Sequence, residues 1–507
     1  MMTDEYRQLA ADRSWIATTG GNLDFRLHRP LPRERVEGMW GNPERDCYRY
    51  MTVFRDGSRF RMYYALVDTP HARHETKQPD RICHAESADG IHWEHPALGL
   101  YEDHGSRSNP IVWMEREGES FGVRGFSPFR DDAPGVAPEH RYKAVAQVGP
   151  VGAAKFGGNG LAAISSPDGL HWSMFSQALI MTGSPGIGGY DSQNLAFWDA
   201  CHEVYRLYWR VVYREGPRHV FRDILTATSA DFLNWSAPRR LGYPGAPPEE
   251  LYTNNIQPYF RAPHLLIGFP VRYVERPWSE AIADLPERER REHLIRTNPG
   301  QPTKDDPTGA GGQRIGTALS DALFMISTDG VQFARSEDAF FRPGLRKQDN
   351  WFYGDNFPAW GVLPTTSGLD GTQELSFYVT EGERQPGRLN RCRRHALRMD
   401  GFVSASAGRS GGTLTSVPME VKGTGLEVNF SASAAGSVRI GLLDEAGELL
   451  PGFEPENQIE LLGDDLARAA RWKDGASLAT LKGRRVRIRF HLLEADLYSW
   501  SFVDGTA

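Results

Sequence analysis

One short pattern occurs four times in this chain. It reads Ser87-Ala-Asp89-Gly90-Ile-His-Trp93, then Ser166-Pro-Asp168-Gly169-Leu-His-Trp172, Ser229-Ala-Asp231-Phe-Leu-Asn-Trp235 and Ser327-Thr-Asp329-Gly330-Val-Gln-Phe333; Met399-Asp400-Gly401-Phe402-Val403 is a worn fifth copy. A repeat of this kind names the architecture, because each unit must bury its apolar face against the next. A β-branched or aromatic run precedes each copy and a Pro- or Gly-rich gap follows it. Five such units predict an all-β fold, a five-bladed β-propeller closed in a ring that leaves no long sheet edge. The chemistry of the repeat is that of a turn. Asp accepts from backbone N–H groups, Gly takes positive φ cheaply, and the aromatic residue fills the wedge between blades. Asp89, Asp168, Asp231 and Asp329 are therefore turn-makers and not catalysts.

Each unit reads as four strands, A to D, with the repeat between C and D. Strands A and B fall at Tyr48–Phe54 and Arg59–Val67, then Val123–Phe129 and Tyr142–Gln147, then Gln193–Trp198 and Tyr205–Tyr213, then Ile256–Phe260 and Leu265–Val271, and last Phe357–Leu363 and Leu375–Thr380. Strand C of unit one falls at Arg81–Ser87. A polar insertion, Pro277–Arg314, sits between B and C of unit four, with a charged helix expected at Glu287–Arg296. Such an excursion serves as a lid or as a contact between copies of the chain, and both readings stay open. The propeller is expected over 1–404. Gly and Ser over Ala405–Gly412 read as a linker, and 413–507 as a small β-sandwich with strands at Leu426–Ala432, Ser437–Leu443, Gln458–Leu462, Val486–Leu492 and Leu497–Phe502. The sandwich is expected to buttress the propeller or to bind carbohydrate, and it offers a second surface for contact between copies.

With 58 Lys and Arg against 65 Asp and Glu, the net charge is −7, and no basic stripe appears. Nucleic acid and anionic membrane are not expected partners. The first residues lack the apolar core of a secretory signal. Four widely spaced cysteines, Cys47, Cys83, Cys201 and Cys392, suit reduced thiols and a cytoplasmic setting. No cofactor is expected. His71 and His74 have no third ligand nearby, so no metal is expected either.

Antiparallel order within a blade puts the start of A and the end of B on one face and the repeat on the other. Asp56, Asp131, Asp132 and Asp199 then fall on the far face as turn residues. The near face gathers Glu44 and Asp46 before unit one, and Tyr190, Asp191 and Asn194 at unit three. It also gathers Tyr252, Asn254 and Asn255 at unit four, and Trp351, Tyr353 and Asp355 at unit five. The B–C loops add Asp68, Glu215, Glu381 and Glu383, and Trp40, Arg107 and Arg124 complete the candidate substrate-binding set. Glu44, Asp46, Asp191, Glu215 and Asp355 are the candidate catalytic acids. Carboxylates from several blades around one aromatic funnel suit glycoside cleavage, in which one carboxyl group protonates the leaving oxygen and another activates water or attacks the sugar.

The Tyr-rich B strands (Phe60-Arg61-Met62-Tyr63-Tyr64 and Tyr205-Arg-Leu-Tyr208-Trp209-Arg210), the Ser-x-Asp-Gly-x-x-Trp turns, Tyr190-Asp191-Ser-Gln-Asn-Leu-Ala-Phe-Trp-Asp199 and the trailing strands resemble the five-bladed propeller glycosidases of glycoside hydrolase families 32 and 43. Within that type the chain is most similar to a bacterial family-32-like branch. The resemblance implies a carboxylate at the start of blade one as base or nucleophile, Glu44 or Asp46 here. It implies an acid at the start of blade three, where this chain has Asp191 in place of Glu. The family's Trp-Met-Asn-Asp-Pro-Asn box and its Arg-Asp-Pro motif are not present at their expected places. A furanoside or small oligosaccharide is the expected substrate. Two alternatives stand beside hydrolysis: a phosphorylase using Arg107, Arg124, Arg218 and Arg272 as a phosphate cradle, and a propeller that binds carbohydrate without turning it over.

Overall fold

The computed structural model describes residues 7–68, 79–114, 125–148, 150–176, 178–182, 189–215, 219–297, 314–347, 350–383 and 389–504. His71, His74, Arg124 and Arg218 lie outside these residues.

Five antiparallel sheets of four main strands form the blades of a β-propeller. Blade 1 runs Asp46–Asp56, Arg59–Asp68, Arg81–Ser87 and Ile111–Met114 from A to D. Blade 2 runs Phe129–Arg130, Tyr142–Gln147, Gly160–Ser166 and Ser173–Met174, with Met181–Thr182 extending its outer edge. Blade 3 runs Leu195–Asp199, Val204–Glu215, His219–Ser229 and Arg239–Arg240. Blade 4 runs Gln257–Tyr259, Ala262–Gly268, Met325–Ser327 and Ala334–Arg335. Blade 5 takes three strands, Leu363–Thr366, Gln373–Glu381 and Arg391–Arg398, from late in the chain and its outer strand, Leu31–Arg35, from the start. The ring is thus closed by joining the two ends of the propeller sequence in one sheet.

The repeat builds the turns as its chemistry requires. In each of the four copies the Ser hydroxyl donates to the first carboxylate oxygen of the Asp at 3.0 Å. That same oxygen accepts two following amides, such as those of Leu170 and His171 at 2.8 and 2.9 Å. Burial alone would raise the Asp168 carboxyl, but the His171 amide and ring and the Leu170 amide hold it down at about 2.

The turns also fasten one blade to the next. Arg61 and Tyr63 on strand B of blade 1 donate to the carbonyls of Asp168 and Gly169 in the blade 2 turn, at 2.6 and 3.1 Å. Arg206 and Tyr208 of blade 3 do the same to Asp329 and Gly330 of blade 4, at 2.8 and 2.9 Å. Tyr378 of blade 5 donates to Gly90 of blade 1, and Tyr259 of blade 4 donates to Asp400 in the worn copy at 2.6 Å. A Cβ on Gly169, at φ +81°, would sit 2.5 Å from Arg61 Nη1 and 2.6 Å from Tyr63 Oη. Glycine is needed there for both its φ and its emptiness. In blade 3 the corresponding residue is Phe232 at φ +68°. The strand facing it carries Lys143 and Val145 instead of an Arg-x-Tyr clamp, and the Phe232 ring fills the space beside Lys143 Nζ at 5.2 Å.

The inner strand of unit five departs from expectation. It begins at Leu363, and Phe357–Val362 is a bulged lead-in that crosses to blade 1. Trp360 N donates to Met51 O at 2.8 Å and Val53 N to Trp360 O at 2.7 Å, a parallel bridge between the first and last inner strands. Gly361, at φ +120°, permits this approach, because a Cβ would overlap the Val53 carbonyl. The Trp360 indole reaches the Ile256 carbonyl at 2.8 Å and packs 6.3 Å from the Phe197 ring, closing the axis with a side chain.

The expected linker is a strand. Val403–Ser416 lies between Ile16–Leu27 and Arg485–Val503 in a seven-stranded sheet that also holds Gly425–Leu443, Asp464–Ala469, Gln8–Leu9 and Met419–Glu420. Gly and Ser side chains carry little strand preference, so neighbours on both sides decide by backbone pairing. Strands expected as pairs at 426–443 and 486–502 are single long strands with register shifts, and Gln458–Leu462 does not form a strand; Asp464–Ala469 does. The division expected between 404 and 413 is also crossed. Residues 8–27 pair with the C-terminal strands, and Trp15 sits in the core with Phe490 and Trp500. The insertion forms a helix at Arg288–Thr297, close to the expected span.

Candidate active site

A pocket opens on the axis at the face where the A strands begin. Tyr48, Arg49, Tyr50 and Met51 from blade 1, Gln193 before blade 3, Tyr252 before blade 4, and Tyr353, Gly354, Phe357, Pro358, Thr380 and Glu383 from blade 5 line it, and its empty volume, mouth included, is about 440 Å³. Gln193 donates to Met51 O at 3.1 Å and Asn255 to Pro358 O at 2.9 Å, tying the floor across the axis.

Backbone strain gathers here. Tyr50, Asn255, Trp351 and Asn356 all have positive φ, at 50°, 48°, 67° and 63°. Such conformations cost about 1–3 kcal/mol each and persist where the surroundings impose them, commonly around functional sites. Nearby polar atoms are also left without a partner: Arg49 Nε, Arg210 Nε, Asn254 Nδ2 and Asn255 Oδ1 are buried and unbonded.

The charges are arranged in pairs. Arg49 binds Glu383, Arg210 binds Asp191, and Arg222 binds Glu250 at 2.5 Å. The Asp191 side chain is 52% exposed while its partner Arg210 is 5% exposed, so the carboxylate faces the mouth and the guanidinium the wall. The Tyr50 hydroxyl donates to the Asp191 carbonyl at 3.4 Å, placing Asp191 at the rim. Glu383 also accepts from the Cys47 thiol at 3.0 Å. Asp355 lies deeper, 2% exposed, and accepts from the amides of Glu383 at 2.9 Å and Phe352 at 3.2 Å. Burial raises its carboxyl most, those two amides oppose the rise, and Glu383 adds to it, so that the group titrates near 7.

Tyrosines line the wall between these charges. The Arg210 guanidinium carbon lies 4.6 Å from the centre of the Tyr252 ring, and that of Arg222 lies 5.8 Å from Tyr252 and 4.2 Å from Tyr273. The Tyr353 ring meets Tyr252 and Tyr273 edge-on, at 5.6 and 5.4 Å. The segment carrying Tyr353 and Asp355 is anchored by the insertion helix. Its Arg291 donates to the Trp351 carbonyl at 2.6 Å and lies 3.9 Å from the Phe352 ring.

Of the residues expected at this face, Tyr252 and Tyr353 line the pocket; Asp191 stands at its rim beside Tyr50, Asp355 lies buried behind Glu383, and Asn255 is tied to Pro358 of the wall. Glu44 is exposed in the turn before blade 1 and is not a lining residue. Asp46 is buried in a structural triad, bound by Arg81, which also holds Asp103 at 2.8 Å. Glu381 is taken up by Arg393 at 2.5 Å and Arg35 at 3.6 Å. Arg107 is exposed and reaches the Gly99 carbonyl, and the Trp40 carbonyl accepts from Tyr64. Trp351 faces a different groove, its indole donating to Gly344 O at 3.1 Å. Tyr190 stacks on Trp209 at 6.4 Å, and Asn194 is fully buried and donates to Tyr190 O at 3.0 Å. Glu215 ends its strand opposite His219. The residues that reading by sequence passed over are Arg49, Tyr50, Gln193, Arg210 and Arg222. Arg210 had a signal, since Arg206, Tyr208 and Arg210 alternate on one face of a strand otherwise filled by apolar residues. Among the described residues no group of three or more His, Cys, Asp or Glu is placed to hold a metal ion, and no helix is long and apolar enough to cross a membrane.

No family model and no curated protein matches the sequence. Among solved structures, the chain is similar to one described as a glycoside hydrolase, at 13% identity over 73% of this chain and 92% of that one, with a TM-score of 0.44. It is also similar to a family 32 β-fructofuranosidase of Bombyx mori, at 10% identity over 95% of each chain and a TM-score of 0.39. A third is the catalytic domain of a family 62 α-L-arabinofuranosidase of Coprinopsis cinerea, at 10% identity over 73% of this chain and 97% of that one, also with a TM-score of 0.39.

Proposed function

We propose that this chain is a glycosidase that cleaves a terminal sugar from a small glycoside in the axial pocket. One observation carries the reading: Glu383 from blade 5 lines a single axial pocket walled by Tyr50, Tyr252, Tyr353 and Phe357, and Asp191 from the start of blade 3 stands at its rim, its carbonyl accepting from the Tyr50 hydroxyl. Aromatic faces suit the apolar faces of a sugar ring, and the two acids suit an oxocarbenium-like transition state. The resemblance of sequence motifs would make Asp191 the acid. Its pairing with Arg210 favours the opposite role, that of an acceptor which activates water or stabilises developing positive charge. Glu383, held by Arg49 and Cys47, supplies the second carboxylate, and Asp355 positions Glu383 through its backbone amide.

A panel of aryl glycosides and oligosaccharides tests the reading. The wild type is expected to turn over at least one, with Asp191→Asn and Glu383→Gln each reducing kcat by roughly 10²–10⁴-fold. Full turnover by both variants would remove the assignment. Dependence of the rate on inorganic phosphate would convert hydrolysis to phosphorolysis. The pairing of both pocket carboxylates with arginine favours a second reading, a propeller that holds sugar without cleaving it; calorimetric binding with no turnover across the panel would establish that one.

A further inference from the structure

The carboxylates at this pocket are held as proton acceptors, and among the described residues none of them is placed to give a proton. Asp191, Glu383 and Glu250 are each tied to a guanidinium, and a carboxylate so held accepts hydrogen bonds instead of giving them. Asp355 is enclosed, with its oxygens turned to backbone amides. A glycosidic oxygen must nevertheless gain a proton as it leaves.

We propose that the phenol of Tyr252 is the acid–base group of the axial pocket, donating its proton to the leaving oxygen and remaining as a phenolate against Arg210 and Arg222. The placement is the argument. Tyr252 lines the pocket, and its backbone is pinned on both sides: its N–H donates to Val271 O at 2.7 Å and its carbonyl accepts from Ser192 at 3.0 Å. Guanidinium groups from two strands of blade 3 lie close to the ring, Arg210 at 4.6 Å and Arg222 at 5.8 Å from its centre. Blade 5 contributes Tyr353 and Phe357 edge-on at 5.6 and 5.5 Å. Arg49 and Tyr50 face it from blade 1, Asp191 from the start of blade 3, and Tyr273 and Glu250 lie behind Arg222. Burial alone would raise this phenol, but Arg210, a hydrogen bond with Tyr353, and Arg49 outweigh both burial and Asp191 and bring it down to about 8. Its neighbour Tyr50 is pushed upward, chiefly by burial and by Tyr252 itself.

The step balances without a further reagent. The bond from the anomeric carbon to the leaving oxygen breaks, its electron pair stays on that oxygen, and the phenolic proton joins it. Water attacks the anomeric carbon and passes a proton to Asp191. Solvent then returns one proton to the phenolate and takes one from Asp191.

The substrate in this scheme rests on the glycosidase reading; the ionisation of the phenol does not. Ultraviolet difference titration reads phenolate directly. The wild type is expected to gain one phenolate with a midpoint near pH 8, and Tyr252→Phe, which loses only a hydroxyl, to lack it. Arg210→Gln is expected to move the midpoint up. Identical titrations of wild type and Tyr252→Phe below about pH 10, the ordinary tyrosine value, would overturn the proposal. The role is read from the leaving group. On an alkyl glycoside Tyr252→Phe is expected to lose roughly 10²–10⁴-fold in kcat, and on a nitrophenyl glycoside, whose leaving group needs no proton, only a small factor. Equal losses on both would strip the phenol of its donor role. A wild type that cleaves no glycoside yet shows the Tyr252-dependent phenolate would sink the glycosidase reading and with it the donor role, leaving only the perturbed phenol; cleavage without that phenolate would sink the Tyr252 assignment and keep the glycosidase reading.

Discussion

At the scale of single residues, one position often meets two constraints at once. Gly330 has φ +74° and lies under the Arg206–Tyr208 clamp. Gly330→Ala is therefore expected to cost about 1–3 kcal/mol, read as a fall in the urea midpoint, from φ strain and displacement of the clamp together. Asp355 offers a second test. Its carboxyl titrates near 7 in the folded chain and near the ordinary value of about 4 when unfolded. The folded state then holds the extra proton between those values, so the contribution of Asp355 is full below about pH 4 and is lost as pH rises through 7. Stability of the wild type should fall across that window by up to about 1.4 kcal/mol per pH unit relative to Asp355→Asn, measured by denaturant unfolding at several pH values. Parallel profiles for the two proteins would mean that Asp355 is not the group responsible.

At the scale of elements, the outer strand of blade 5 decides whether the ring holds. Arg394 on strand C binds Glu34 from Leu31–Arg35 and also Glu374 at 2.6 Å and Ser376 at 2.9 Å, and Arg393 donates to the Arg33 carbonyl at 2.7 Å. Arg394→Leu leaves Glu374 buried without this partner and is expected to destabilise by about 3 kcal/mol. Proteolysis should then cut first near residues 28–36, because the strand is held at its end by these contacts. An unchanged melting temperature would show that backbone pairing alone secures it. The insertion helix is similarly explained by what it touches: Arg291 reaches the Trp351 carbonyl and Phe352, bracing the segment that carries Tyr353 and Asp355.

At the scale of the whole molecule, both ends of the chain return to one sheet. Gln8–Leu9 and Ile16–Leu27 pair with Arg485–Val503 and Val403–Ser416, and Trp15 packs among the C-terminal apolar residues. The fragment 413–507 lacks these N-terminal strands and most of Val403–Ser416. It is expected to show no cooperative thermal transition, whereas addition of a peptide covering 7–27 joined to 403–507 restores one. A cooperative melt of the shorter fragment would make it an independent unit. The same topology carries the N-terminal strand Leu31–Arg35 into blade 5, so one stretch of about thirty residues, counted from 7 to 35, serves both bodies.

The sequence alone determined what is local and repeated. The Ser-x-Asp-Gly turns specify their own hydrogen bonds within three residues, and short strand-forming runs such as Arg81–Ser87 and Tyr142–Gln147, buried along nearly their whole length, are bounded by turn signals that can be read in place. From these the five units, and the face where the A strands begin, were legible, as were Tyr252, Tyr353 and Asp355 as residues of that face. The tertiary structure decided the rest. Glu44 and Asp46 are two residues apart, yet one meets solvent and the other meets Arg81, because pairing of charges depends on a strand 35 residues away. Val403–Ser416 became a strand through neighbours at opposite ends of the chain, and Trp360 closed the axis through contacts with blades 1, 3 and 4. Local propensity acts over a few residues, whereas burial and charge pairing act through space, and ring closure sets those distances.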